Sequence, residues 1–181
     1  MIEEDDTREE KFIVDTMYQR IARWLRVLGY DTELVTVSVD YKVIKKAIEE
    51  HRILITRDED LRRRAEKLGV KVLTIDGETI EERLAELHKE IGIKLFLSKN
   101  SLPRCSICNG EITVIEKNEI DDRIPEGTKK QYNEFYICLN EKCKQVYWEG
   151  SHWSKIVQSL KESRRIIGEE LGEDKKKLSK N

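Results

Sequence analysis

Between residues 12 and 91 apolar runs that read as strands alternate with amphipathic patterns that read as helices, four times over, and this rhythm limits the possible folds more than any other feature. Phe12-Ile13-Val14 is the first run, and Met17, Ile21, Trp24, Leu25 and Leu28 then recur at helical spacing until Gly29. Leu34-Val35-Thr36-Val37 follows as a strand. Asp40 is placed to cap a helix through His51 with Val43, Ile44, Ala47 and Ile48 buried. Ile53-Leu54-Ile55-Thr56 has the unbroken hydrophobicity of a parallel strand covered on both faces. A helix over about 58–68 ends at Gly69, the run 70–75 is a fourth strand, and Asp76-Gly77 turns into a helix with Ile80, Leu84, Leu87 and Ile91 inward. Such alternation predicts an α/β fold, a parallel sheet flanked by helices on both faces. No glycine-rich phosphate loop follows the first strand, which argues against a nucleotide-cofactor fold.

The character changes near residue 100. Cys105-x2-Cys108 and Cys138-x4-Cys143 are the four cysteines of the chain, 29 residues apart, with strand-like runs at 112–115, 134–137 and 145–148 around them. Short-spaced pairs separated by a hairpin match the two knuckles of a four-thiolate zinc site, each knuckle supplying one edge of a tetrahedron. About 50 residues build a poor apolar core unaided, and a structural zinc ion, contributing on the order of 10 kcal/mol, makes up the difference. The alternative is four buried thiols or a redox pair. The resulting divisions are an acidic arm at 1–10, an α/β domain at 11–97, a zinc ribbon at 101–153 and a charged helix and tail at 154–181, with Lys175-Lys176-Lys177 lacking an apolar partner.

Composition excludes some functions. Among 181 residues, 34 Lys plus Arg face 36 Asp plus Glu for a net charge of -2, so nucleic-acid binding cannot be read from a global basic excess. There is no apolar run of membrane-spanning length, and the opening Met1-Ile2-Glu3-Glu4-Asp5-Asp6 is the reverse of a signal peptide, so a cytoplasmic protein with no membrane partner is expected.

Ligands in open parallel sheets bind beyond the carboxyl ends of the strands. This chain puts Asp15, Asp40, Asp58 with Asp60, and Asp76 there. Converging carboxylates repel unless a cation lies among them, and oxygen donors favour Mg2+ or Mn2+. Asp40 and Asp58 read equally as helix caps, Asp60 suits a first helical turn, and Asp76 suits a turn. Asp15 has no such local duty. Arg20, Arg23 and Arg26 fall within about 120 degrees of one another on the helix after it, away from the apolar stripe. With Arg57, and with Arg62, Arg63 and Arg64 one turn on, they either ring the acids to hold phosphates or form an ordinary solvated face.

Phe12-Ile13-Val14-Asp15, the segment Arg20 to Asp31, Ile53 to Leu61 with its Thr56-Arg57-Asp58-Glu59-Asp60, Cys105 to Gly110 and Val146 to Trp153 together resemble the Mut-seven C-terminal ribonuclease family. The resemblance implies a PIN-like domain with an appended zinc ribbon and metal-dependent cleavage of RNA. It assigns catalysis to Asp15, Asp40, Asp58 and Asp60, which would hold Mg2+ or Mn2+. Arg20, Arg23 and Arg57 would bind substrate, and Cys105, Cys108, Cys138 and Cys143 structural Zn2+. The chain departs from that family at Tyr18-Gln19, where a Leu-Gly pair is usual, and in its longer second knuckle. The ribbon, carrying Tyr147, Trp148, His152 and Trp153, would dock on the main domain or stack RNA bases. The competing reading is a noncatalytic adaptor in which the acids are caps and the ribbon binds nucleic acid or protein. A protein inhibitor is a further possibility, the acidic arm then mimicking RNA over the arginines.

Overall fold

The structure is a computed structural model and describes residues 9–35, 39–97, 103–120 and 124–168. The four strands β1 (Lys11–Asp15), β2 (Asp31–Val35), β3 (Arg52–Ile55) and β4 (Val72–Leu73) form one parallel sheet in the order β2-β1-β3-β4. Helices α1 (Gln19–Val27), α2 (Asp40–Glu49), α3 (Glu59–Lys67) and α4 (Ile80–Ile91) connect or follow them. Fold class and alternation are those expected.

Successive side chains of a strand face opposite sides, so each strand supplies two cores. Phe12, Val14 and Ile55 point to one side and pack with Tyr18, Ile21 and Leu25 around α1 and with Leu84 and Leu87 of α4. Ile13 and Leu54 point to the other and meet Val43, Ile44 and Ala47 of α2 and Leu61 and Ala65 of α3. Each fully buried Leu-sized side chain contributes roughly 1.5–3 kcal/mol of transfer free energy.

Two members of the expected apolar stripes lie outside. Met17 is 65% exposed because residues 16–18 form a tight 3-10 turn before α1, which rotates it off the helix face. Ile48 is 43% exposed, at the outer edge of α2. Strand β4 is shorter than the run 70–75. Ladder bonds reach only Leu73, beyond which the Tyr18 hydroxyl takes both the N–H and the C=O of Ile75, at 3.0 and 2.7 Å. Asp40 is not the cap of α2: Val39 occupies that position with no side-chain bond, and Asp40 is the first helical residue. Asp58 does cap α3, its Oδ1 accepting the N–H groups of Asp60 and Leu61 at 2.9 Å each.

The cysteine segment is a three-stranded antiparallel sheet, β5 (Ile112–Ile115), β6 (Phe135–Cys138) and β7 (Val146–Trp148) in that order, with a short α5 (Glu126–Gln131) between β5 and β6. Phe135, Ile120, Ile124 and Val146 give it a small core, and Trp148 packs on Phe135 with centroids 6.5 Å apart. Helix α6 (Ser151–Ile166) then returns to α4, burying Leu160 in the main core, while Ser159 donates to Glu81 at 2.6 Å and Arg164 donates to the carbonyl of Leu95. Thus the charged stretch from Ser154 does have an apolar partner in its described turns. Lys175-Lys176-Lys177 and most of the acidic arm lie outside the described residues. Among the described residues no helix is long and apolar enough to cross a membrane.

Candidate active site and metal centre

In the order β2-β1-β3-β4 the chain reverses its direction of travel at β1 and β3, and a crevice opens beyond their carboxyl ends. A cleft of about 220 Å3 lies at that end, lined by Asp15, Asp40 and Asp58 together with Thr16, Val35, Val43, Leu54 and Leu61. The sequence places three of its four candidate acids there. Asp60 is not among the lining residues; it is exposed and pairs with Arg63 at 2.5 Å along α3.

Each cleft acid has one oriented oxygen or more. Asp15 Oδ1 accepts from the Thr16 hydroxyl at 3.0 Å and from Met17 N–H at 3.2 Å, and its Oδ2 accepts from Thr56 Oγ1 at 2.9 Å. Thr56 is fully buried and also accepts the N–H of Asp58 at 3.0 Å. Asp58 uses Oδ1 as a cap. Asp40 Oδ2 accepts from Arg64 Nη1 at 2.8 Å, a contact between α2 and α3. The three carboxylates share a cleft without closing into a ligand cage. Among the described residues only the thiol quartet brings three or more ligating side chains within 4.8 Å of one another.

Arg20 and Arg23 are exposed on α1. Arg57 is anchored at the end of β3: its Nε donates to Tyr18 Oη at 2.8 Å, its Nη2 to Ile75 O at 3.0 Å, and its guanidinium stacks 5.0 Å from the Tyr18 ring centroid. Tyr18, where the chain departs from the Leu-Gly pair, is therefore a buried post for Arg57. Sequence reasoning met Tyr18 only as a departure from the family, Arg64 only as one of the arginines around the acids and Thr56 only within the Thr-Arg-Asp segment, and missed the partner of each.

The four thiols meet as expected. Cys105 and Cys143 sulfurs are 3.7 Å apart and those of Cys108 and Cys138 3.4 Å, close to the edge of about 3.8 Å that a tetrahedron of 2.3 Å Zn–S bonds requires. All four are free of disulfide. Asn109 and Lys144, each just after a knuckle, adopt left-handed backbone with φ of 66° and 46°, curling the chain around the sulfurs. Burial acts to raise the Cys105 thiol, but bonds from Tyr147 and from the N–H groups of Cys108 and Ile107 outweigh it and bring it down to about 7. Burial pushes Cys138 up to about 12. A metal ion binding here must therefore displace protons.

The knuckle and the acid cleft lie at opposite ends of the sheet. Asn109 accepts the N–H of Thr32 at 2.9 Å and donates to Asp31 Oδ1 at 2.7 Å, both at the start of β2, whereas Asp15 ends β1.

A family model described as the Mut7-C RNAse domain matches residues 10–160. The chain belongs to this family. No curated protein and no solved structure matches it. Membership in the Mut7-C RNAse family brings a nuclease-like function, and the matched span runs across both the acid cleft and all four cysteines.

Proposed function

We propose that the protein is a metal-dependent ribonuclease of PIN-like type that hydrolyses RNA phosphodiester bonds at the cleft of Asp15, Asp40 and Asp58, with Asp60 at its margin. The observation that carries this reading is the gathering of those three acids at the switch point of a parallel sheet in a member of an RNase domain family.

The donors lining the cleft are carboxylate and hydroxyl oxygens with no thiol or imidazole, a set that suits Mg2+ or Mn2+. When bound, such an ion supplies an activated water and charge stabilisation at the departing oxygen. Asp15 is held in register by Thr16 and Thr56, so its carboxylate meets ion or water without first being ordered. Arg57, fixed on Tyr18 just past β3, would take a phosphate of the bound strand, and Arg20 and Arg23 offer further charge along α1. The four thiols hold structural Zn2+. Tyr147 bonds to Cys105 at 3.0 Å and Trp148 is packed on Phe135, which supports a docked ribbon over one that stacks bases.

The test is RNA cleavage by the D15N/D58N double variant with calorimetric Mn2+ titration of both proteins. Loss of cleavage together with weakened Mn2+ binding is expected. Undiminished cleavage by the variant at matched purity would sink the mechanism, and no Mn2+ binding by the unaltered protein at millimolar metal would favour the adaptor.

A further inference from the structure

Of the three arginines spaced along α1, Arg20 and Arg23 face solvent and Arg26 is 5% exposed. Its hydrogen-bond acceptors are all main-chain carbonyls: Thr32 O at 2.8 Å, and Ser106 O and Ile107 O at 3.0 Å each. None is a carboxylate. A buried cation whose partners are neutral is costly unless a counter-charge lies close by.

Ser106 and Ile107 are the two residues between Cys105 and Cys108, so Arg26 grips the first knuckle from behind. Four thiolates around one divalent zinc leave two net negative charges. The segment entering the knuckle returns the grip, since Arg104 N–H donates to Arg26 O at 2.8 Å. One residue past the knuckle, Asn109 spends both ends of its amide on Thr32 and Asp31. Asp31 in turn pairs with Arg52 at 3.0 Å, and Arg52 donates to Phe12 O at 3.1 Å. A continuous set of buried and partly buried polar bonds thus runs from the cysteine knuckle to the backbone of β1.

We propose that Arg26 is the positioning residue that builds the zinc centre into the sheet. Its guanidinium holds the knuckle carbonyls and offsets the charge of the tetrathiolate, so that metal occupancy and order at the amino ends of β1 and β2 form one cooperative unit. This rests on the zinc reading of the four thiols. The ribbon is then a structural end-cap of the α/β domain, and loss of its metal is felt at Thr32.

The experiment uses the full chain. Zinc affinity is measured by competition with a chromogenic chelator, and exchange of the Thr32 amide is followed with and without zinc. Arg26→Met removes charge and donors at similar stem length, Arg26→Lys keeps the charge but not the guanidinium fork that reaches both Thr32 and the knuckle, and Asn109→Gly keeps the left-handed backbone while removing the amide. The unaltered protein should bind one zinc per chain. Arg26→Met should weaken zinc by about tenfold or more, as loss of an outer-shell partner does, with part of that recovered in Arg26→Lys. Zinc removal should speed Thr32 exchange at least about tenfold as its opening becomes local.

If the unaltered protein binds no zinc, the zinc reading itself fails. If it binds zinc but Arg26→Met and Asn109→Gly bind it equally well and Thr32 exchange ignores the metal, the proposal alone is overturned. Should Arg26→Met not fold, Asn109→Gly decides.

Discussion

Thr56 Oγ1 donates to Asp15 Oδ2 at 2.9 Å, and the same oxygen accepts the backbone N–H of Asp58 at 3.0 Å. One fully buried hydroxyl therefore ties the end of β1 to the turn after β3 and sets two cleft acids relative to each other. Thr56→Val keeps the shape and leaves both partners short of a bond. It should destabilise the fold by about 1–3 kcal/mol, the cost of an unsatisfied buried group, while Thr56→Ser retains most of that. In an RNA cleavage assay Thr56→Val should lower kcat more than it raises KM, because alignment of Asp15 rather than substrate binding is disturbed. Equal urea midpoints for the Val and Ser variants would remove this role.

What could be read in advance follows the range of the interaction. Phe12-Ile13-Val14 and Ile53-Leu54-Ile55 announce buried strands because their hydrophobicity is local, and Cys105-x2-Cys108 announces a knuckle because its spacing is. Tyr18 and Arg26 gave no such signal. Tyr18 acts on Ile75, 57 residues away, and Arg26 on Ser106, 80 residues away, so their roles exist only after the chain has folded. Arg26 illustrates the limit well: helical periodicity put it in a row with Arg20 and Arg23, and only the docked knuckle separates it from them. Asp40 was legible as an acid at a helix start, but its partner Arg64 lies on another helix.

That pair carries a second prediction. Arg64 is 62% exposed at the side chain and Asp40 32%, so their contact contributes at most about 1 kcal/mol to stability. An ion entering the cleft must compete with Arg64 for Asp40 Oδ2. Arg64→Ala should therefore strengthen Mn2+ binding by up to about fivefold, the equivalent of that energy, with little change in melting temperature. Calorimetric titration checks it, and weaker Mn2+ binding in the variant would contradict it.

Acid should weaken the amino end of the sheet through Asp31. Burial acts to raise its carboxyl, yet the bonds from Arg52 and Asn109 outweigh burial and hold it below the usual carboxylate value. A folded value below the unfolded one of about 3.9 gives a contribution fully present above that pH and lost as pH falls through the lower folded value. The urea midpoint of the unaltered protein should fall below about pH 4, and Asp31→Asn should show a lower midpoint at neutral pH with a shallower acid slope. Glu50, lowered chiefly by its hydrogen bond with Arg52, leaves a residual slope in that variant.

Two glycine-to-alanine substitutions should differ in their effect on zinc binding. A Cβ at Gly110 would sit 3.1 Å from Cys138 Sγ and 3.2 Å from Cys108 Sγ, one sulfur from each knuckle. In a metal-free chain either thiol can swing aside, but sulfurs held in a tetrahedron cannot, so the clash falls mainly on the metal-bound state. Gly110→Ala should weaken zinc by more than about tenfold in chelator competition, comparable with loss of an outer-shell contact. Gly127, in α5, has nothing within 4 Å of the corresponding position. Gly127→Ala should leave zinc binding unchanged and raise stability by up to about 1 kcal/mol through the lower entropy of the unfolded chain. Equal zinc affinities for both variants would mean that the thiol quartet has room to spare around Gly110, contrary to its packing.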